Sequence, residues 1–369
     1  MFPIAQKIAA RAINQPLSPK SRERFKRHIL LSEIDEIGQA KIAAAKILII
    51  GAGGLGSPAS LYLAAAGVET IGIVDFDMVD RSNLQRQTLY NDADVGRRKI
   101  EVAKEKLNAQ SPDTTVEVFP VRLNADNALD LIRPFDLVID GSDNFATRYI
   151  VNDACVTLEK PNIYGSVFRF EGQASVFYPP HGPCYRCAFP EPPATGTVPN
   201  CAEGGVLGVL PGQIGIIQAT EALKLILGLG DSLVGRLLLY DALAMNFQSI
   251  NVKRSAACTA CGDHAAISSL ATQECMSPDA LRAAKLKNPQ LFVLDVRTAP
   301  EVAESSIPGS VHIPLNELEA RLDLIPRDRA VVTYCKSGPR SLVAQKILKA
   351  HGYRSVKNLD GGISAWQSP

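Results

Sequence analysis

A chain of 369 residues is longer than one ordinary hydrophobic core, so two domains are expected. Hydrophobic residues at 46% and charged residues at 21% describe a globular protein, and a formal net charge of +1 gives no electrostatic ground for nucleic acid or a membrane surface as partner. Residues 1–20 lack the sustained apolar region of a signal peptide, and the richest apolar run, 207–229, is interrupted by Gln213, Gln218, Glu221 and Lys224. A cytoplasmic location is therefore expected, with the 8 cysteines used for metal or catalysis rather than disulfides.

In chain order, residues 1–17 read as a tail. Ser18-Pro19 places an N-cap before a proline at the first helical position and opens a charged helix through Arg22, Arg24, Lys26 and Arg27, whose charges alone describe a solvated face. The run K-I-L-I-I-G-A-G-G-L-G, 46–56, follows. It reads as a buried parallel strand entering a tight turn, where Gly51, Gly53, Gly54 and Gly56 let backbone approach phosphate and hand an anion to the next helix's free N–H groups. Taken alone, such a loop is a weak signal whose ordinary reading is a nicotinamide or flavin dinucleotide site. An alanine-rich helix, 59–66, ends at Gly67, and a second strand, 70–74, ends in Asp75, where an acidic side chain meets a nucleotide ribose.

Two cations, Arg86 and Lys99, then fall within one crossover, an arrangement suited to a triphosphate whose charge must be offset during attack at its α-phosphorus. A third strand, 135–139, ends in D-G-S-D-N, which puts Asp143 at the carboxyl end of a parallel strand. A carboxylate beside a triphosphate is a natural Mg²⁺ ligand; capping of the helix 145–151 is the competing use. Cys184 and Cys187 form one C-x-x-C, and Cys258 and Cys261 form another. Four thiolates favour a closed tetrahedral Zn²⁺ site with a structural job. Cys201 lies in P-N-C-A-E-G-G-V-L-G beside Glu203 and without a neighbouring His, so locally it is a spare thiol, while Cys155 falls on an amphipathic helical pattern as a core residue.

Residues 266–276 lack periodicity and read as a linker, after which Ser277-Pro278 opens a new helix and αβ alternation continues to Trp366. Here A-V-V-T-Y-C-K-S-G-P-R-S runs an apolar strand into Cys335. The loop of Lys336, Ser337, Gly338, Pro339 and Arg340 then leads straight into a helix. A nest of backbone N–H groups, a helix start and two cations all stabilise negative charge on sulfur. A phosphatase needs Cys-x₅-Arg, but Ser341 holds that position and the arginine comes one residue earlier. The tighter loop suits a persulfide.

The spacing Gly51…Asp75…Arg86…Lys99…Asp143, with S-N-L-Q-R-Q (82–87), G-R-R-K (96–99) and S-D-N (142–144), resembles the ubiquitin-activating-enzyme superfamily, specifically its bacterial MoeB/ThiF adenylyltransferases. The resemblance covers roughly 18–267. It implies an α/β fold with a Rossmann-like mixed sheet and ATP held by Gly51, Gly53, Gly54, Asp75, Ser82, Asn83, Leu84, Gln85, Arg86, Lys99, Asp143 and Asn144. It also implies Mg²⁺, structural Zn²⁺ on the four C-x-x-C cysteines, a homodimer in which Arg27 reaches the partner's nucleotide, and Cys201 as a possible covalent link to a carrier protein. From 277 to 369, L-D-V-R (294–297), I-P-G-S-V-H-I-P (307–314), the Cys335 loop and L-D-G-G-I-S-A-W (359–366) resemble a small α/β rhodanese domain. There Asp295 and Arg297 are read as a structural ion pair and His312 as a satisfied loop histidine.

The expected organisation is thus a tail (1–17), an adenylation domain with zinc knuckles (18–267), a linker (268–276) and a rhodanese domain (277–369), a fusion of the MoeZ type. Such a fusion implies ATP-dependent adenylylation of the C-terminal Gly-Gly of a ubiquitin-like sulfur carrier of MoaD, ThiS or CysO type. Sulfur transfer follows from a Cys335 persulfide, loaded by a cysteine desulfurase or thiosulfate, to give a thiocarboxylate for pathways such as molybdenum cofactor or thiamine biosynthesis. An activation-only adenylyltransferase is the alternative. A NAD-dependent oxidoreductase would leave Arg86, Lys99, both knuckles and the persulfide loop without a job, and a non-catalytic scaffold would leave Asp143, Lys99 and Cys335 without one.

Overall fold

The computed structural model describes residues 2–13, 16–179, 181–192, 204–263, 265, 275–276, 278–288, 290–359 and 361–367. Cys201 and most of the expected linker, 268–274, lie outside the described residues. The chain forms two compact units that divide in sequence near Ala271.

The first unit is built on eight strands: β1 (Lys46–Ile50), β2 (Thr70–Val74), β3 (Thr115–Phe119), β4 (Leu137–Asp140), β5 (Asn162–Phe168), β6 (Glu171–Phe177), β7 (Arg236–Asp241) and β8 (Asn246–Asn251), in the order β3-β2-β1-β4-β5-β6-β7-β8. The strands from β3 to β5 pair in parallel and those from β5 to β8 antiparallel. Pattern and position agree. The near-continuous apolar runs of β1 and β4 are buried at the centre, covered by helices on both faces, whereas β8, N-F-Q-S-I-N, is exposed throughout at the edge. Strand order reverses between β1 and β4, and ligands of open α/β sheets bind outside the strand ends at such a point.

The helix Val209–Leu227 carries the polar residues that interrupt the apolar run, and its buried Gln218 and Glu221 are spent on backbone. Gln218 donates its amide to the carbonyls of Asp140 (2.8 Å) and Ile163 (2.9 Å), and Glu221 accepts from the Leu233 N–H (2.8 Å). Among the described residues no helix is long and apolar enough to cross a membrane.

The N-terminal tail, whose structure the sequence left open, contains a helix. Pro3–Ala12 is a helix whose Ile4, Ala5, Ile8 and Ala12 are buried, and Arg11 pins it to the buried Asp136 (Nη1 to Oδ1, 2.9 Å). Spacing of four residues puts those side chains on one face, and tertiary burial sustains a helix too short to persist alone. The charged opening helix is corrected. It breaks at Phe25 into Pro19–Arg24 and Lys26–Ile29, with Ser18 capping the first by accepting from the Ser21 N–H.

The second unit is a five-stranded parallel sheet of β9 (Cys275–Met276), β10 (Phe292–Asp295), β11 (Val311–His312), β12 (Val331–Tyr334) and β13 (Val356–Leu359), ordered β11-β10-β12-β13-β9. The last two residues of the expected linker are therefore sheet, because the β13 edge offers them backbone partners and Met276 packs beside the apolar group of Leu281, Val332 and Leu359.

Candidate adenylation, zinc and persulfide sites

At the switch point β1 runs into Gly51, which takes φ +90° and donates its N–H to the Val74 carbonyl (2.8 Å). The turn is closed on itself: a Cβ at Gly56 would lie 1.9 Å from the Gly51 carbonyl oxygen. Gly53 differs, since a Cβ there would stand at ordinary contact distance, 3.4 Å, from Gln87 Nε2. The protein's own packing does not demand that glycine.

Around the loop gather the residues singled out from the sequence. Asp75 is buried at the end of β2 and accepts from the N–H groups of Ala52 (2.8 Å) and Asp77 (2.7 Å). Burial pushes its carboxyl above the ordinary value, with the nearby Lys99 opposing that shift. Lys99 opens the helix Lys99–Gln110, and its side chain, 6% exposed, is 2.9 Å from Asp77. The 3₁₀ turn Arg81–Asn83 is capped by Asp80, which accepts from the Ser82 N–H (2.7 Å) and hydroxyl (2.5 Å). Asn83 accepts from Arg86 (2.7 Å), whose Cγ would be 3.7 Å from a Cβ on Gly54, so the Arg86 stem lies over the glycine loop. Gln85 abuts Gly208, where a Cβ would be 2.5 Å from its carbonyl oxygen, and Leu84 is half-buried against the main core.

Asp143 and Asn144 separate in role. Asn144 is the N-cap, accepting from the Thr147 N–H (2.9 Å), so the capping job weighed for Asp143 falls to its neighbour. Asp143 is exposed, and among the described residues its carboxylate is met by the Asn144 amide at 3.5 Å and by no cation. The turn itself is tied to β1, because the Gly141 N–H donates to the Ile50 carbonyl (2.9 Å). Arg27 is exposed on Lys26–Ile29.

The two knuckles meet. Sγ atoms of Cys184 and Cys187 are 3.9 Å apart, those of Cys184 and Cys258 3.5 Å, and those of Cys187 and Cys261 3.4 Å, with all four within 4.8 Å of one another. Four thiolates tetrahedrally around Zn²⁺ at 2.3 Å stand about 3.8 Å apart, so the set fits that ion. Arg254 fastens the second knuckle by donating to the Cys261 carbonyl and to Asp263 (2.9 Å).

In the second unit β12 delivers Cys335, 1% exposed, into a turn where Sγ accepts from the Gly338 N–H (3.1 Å) and the Ser341 hydroxyl (3.4 Å). Gly338 takes φ +118° and precedes the helix Pro339–Ala350. Lys336 and Ser337 are exposed. Arg340 is held by both oxygens of Glu301 (2.7 and 2.6 Å), so its charge is offset by a partner 39 residues away in sequence. That arginine holds the Glu301 carboxyl far below the usual carboxylate range. Asp295 and Arg297 form a buried bidentate pair, and His312 is bonded to the Arg297 carbonyl (2.8 Å), as expected of structural residues.

The ThiF family model matches residues 25–260, and the rhodanese-like domain model matches 277–369. The chain belongs to the ThiF family. It is an adenylyltransferase and sulfurtransferase with a C-terminal rhodanese-like domain. It is 44% identical to the probable adenylyltransferase/sulfurtransferase MoeZ of Mycobacterium tuberculosis, over 95% of each chain. It is 39% identical to the adenylyltransferase and sulfurtransferase MOCS3 of Mus musculus, over 95% of this chain and 87% of that one. The sulfur carrier protein adenylyltransferase of Thermus thermophilus is 50% identical over 65% of this chain and 91% of its own. Among solved structures, E. coli MccB superposes with a TM-score of 0.59 at 23% identity, over 66% of this chain and 76% of that one, which shows a shared fold.

Three further residues touch the glycine loop and the Asp143 turn. Tyr90 donates its hydroxyl to the Ala52 carbonyl (2.8 Å), Gln87 lies against Gly53, and Arg148 donates to the Ser142 carbonyl (3.3 Å) from within the core. Gln87 ends a motif that was legible. Tyr90 and Arg148 carry no local signal, since each acts on backbone brought near by the sheet.

Proposed function

We propose that this protein adenylylates the C-terminal Gly-Gly carboxylate of a ubiquitin-like sulfur carrier and then transfers sulfur to it from a persulfide on Cys335. The observation that carries the reading is the convergence, at one sheet switch point, of a bare Gly53, a buried Lys99 and a cation-free Asp143, in a chain that also cradles a thiol at a helix start.

A carboxylate is a poor electrophile because hydroxide is a bad leaving group. Attack by the carrier carboxylate on the α-phosphorus of ATP releases pyrophosphate and leaves an acyl-adenylate. Gly51, Gly53 and Gly54 leave backbone N–H groups open to phosphate, Asp75 faces the ribose, and Ser82 to Arg86 with Lys99 and Asn144 line the nucleotide. Arg86 and Lys99 offset charge that develops at phosphorus. Asp143 fits Mg²⁺, which when bound would shield the triphosphate's charge. Arg27, exposed and on a helix of its own, is assigned to the nucleotide of a second copy in a homodimer.

At the second unit the Gly338 N–H and the Ser341 hydroxyl hold the sulfur of Cys335. A donor, a cysteine desulfurase or thiosulfate, loads it with one further sulfur. The terminal sulfur attacks the acyl carbonyl, AMP leaves, and an acyl disulfide forms. A second thiol, Cys201 or an external reductant, attacks the Cys335 sulfur, so the S–S bond breaks, the carrier leaves as thiocarboxylate, and Cys335 remains in a disulfide for further thiol reduction.

The test is carrier-dependent exchange of pyrophosphate into ATP. Asp143→Ala should abolish it while leaving the fold intact by circular dichroism, and an unchanged rate would remove Asp143 from the site.

A further inference from the structure

Asp143 is exposed and makes one weak polar contact, so something else must hold the turn that presents it. Ser142, one residue before it, is gripped from both sides. Asp140, fully buried at the end of β4, accepts from the Ser142 N–H (3.0 Å) and hydroxyl (2.6 Å), while Arg148 donates to the Ser142 carbonyl (3.3 Å). Arg148 is itself buried, with its guanidinium 5.3 Å from the Phe145 ring centroid and 5.5 Å from that of Tyr164.

Tyr185 stands between Cys184 and Cys187 of the first knuckle. Its N–H donates to Asn152 (2.7 Å), and the next residue, Arg186, makes a bidentate pair with Asp153 (2.7 and 2.8 Å). Asn152 and Asp153 belong to the helix Phe145–Thr157, the one that Asn144 caps immediately after Asp143. Tyr185 also packs edge-on to Tyr149 and Phe177 and at a tilt to Tyr164. Thiol tetrad and Asp143 turn are thus joined through one helix: the knuckle's Tyr185 and Arg186 hold Asn152 and Asp153, and Arg148 on the same helix holds Ser142, next to Asp143.

We propose that Arg148 is a positioning residue that links the cysteine knuckle to the metal-binding turn, so that the knuckle sets the turn's affinity for Mg²⁺ as well as supporting the fold. The inference rests on the nucleotide reading of Asp143 given above. Outer partners that fix a ligand's position typically govern metal affinity by about 10- to 100-fold.

The test uses the full-length zinc-loaded protein and two readouts: equilibrium dialysis of ATP at graded Mg²⁺, and the Mg²⁺ concentration for half-maximal carrier-dependent pyrophosphate exchange. Arg148→Lys should raise the half-saturating Mg²⁺ about tenfold in both. Arg186→Gln, which cuts the knuckle's ion pair with Asp153 on the Arg148 helix, should raise it about threefold, with zinc content and Mg²⁺-free ATP binding unchanged. Should Arg148→Lys fail to fold, Arg186→Gln carries the test alone. Unshifted Mg²⁺ dependence in Arg186→Gln, while Asp143→Ala abolishes it, would overturn the link and leave the nucleotide reading standing. Unshifted dependence in Asp143→Ala would overturn that reading itself.

Discussion

Replacing Lys99 with methionine separates chemistry from folding most cleanly. Lys99 Nζ is 2.9 Å from Asp77, its side chain is 6% exposed against 49% for Asp77, and it also acts on the buried Asp75. Coulomb attraction at that distance is about 6 kcal/mol at an effective dielectric of about 20 and about 1.4 kcal/mol in water. Half-exposure of Asp77 draws the value toward the lower figure, and removing a buried cation also removes its desolvation cost. A stability loss of about 1–2 kcal/mol is therefore expected, read by urea denaturation of the first unit. A donor lost from charge developing at phosphorus costs roughly 100- to 1000-fold in rate. The control is Asp77→Asn, which removes the same ion pair and keeps the ammonium. Carrier-dependent pyrophosphate exchange should fall at least about 100-fold in Lys99→Met and less than about tenfold in Asp77→Asn. Equal losses in the two variants would show that Lys99 serves only the pair with Asp77 and would refute its place at the phosphates.

Three further outcomes follow from the geometry. Purified protein should hold about one Zn²⁺ per chain by elemental analysis, and Cys258→Ser should lower the first unit's melting temperature by about 5–15 °C; full stability without metal would leave the tetrad as ordinary core. Glu301 has its folded-state carboxyl depressed by Arg340 from an ordinary value of 4.5, so the stabilisation is present above that value and is lost as pH falls below it. The second unit's melting temperature should consequently drop more between about pH 5 and pH 3 in the native chain than in Glu301→Gln, and parallel curves would contradict the pairing. Mixing inactive Arg27→Ala with inactive Lys99→Met should restore exchange if Arg27 serves the partner's nucleotide, whereas no recovery would place Arg27 in its own subunit's site.

Sequence showed best what local chemistry dictates. The run 70–74 is β2 to the residue, the glycine loop leads into its helix, and Ser18-Pro19 caps where capping residues should. The glycine loop, the knuckles and the Cys335 turn were legible because glycines, cations and cysteines at fixed offsets have few other uses. Long-range partners were not. Nothing near Arg340 announces Glu301, and nothing near Arg11 announces Asp136, because such pairs are made by sheet order rather than by spacing. The helix Pro3–Ala12 was hidden because its three turns draw stability from the core they cover, although Pro3 at its first position and Ile4, Ile8 and Ala12 in register were its signature. The division of labour between Asp143 and Asn144 had to await coordinates, since either side chain can cap.

The central claim is that activation and sulfur transfer end in a carrier thiocarboxylate, and intact mass of the carrier tests it most directly. A Gly-Gly-terminated carrier is incubated with the protein, Mg-ATP, thiosulfate and a thiol reductant that releases it from the acyl disulfide. Exchange of one oxygen for sulfur should add about 16 mass units, and Cys335→Ala should abolish that gain while retaining pyrophosphate exchange. A carrier of unchanged mass in the presence of robust pyrophosphate exchange, or a gain that survives Cys335→Ala, would contradict the account.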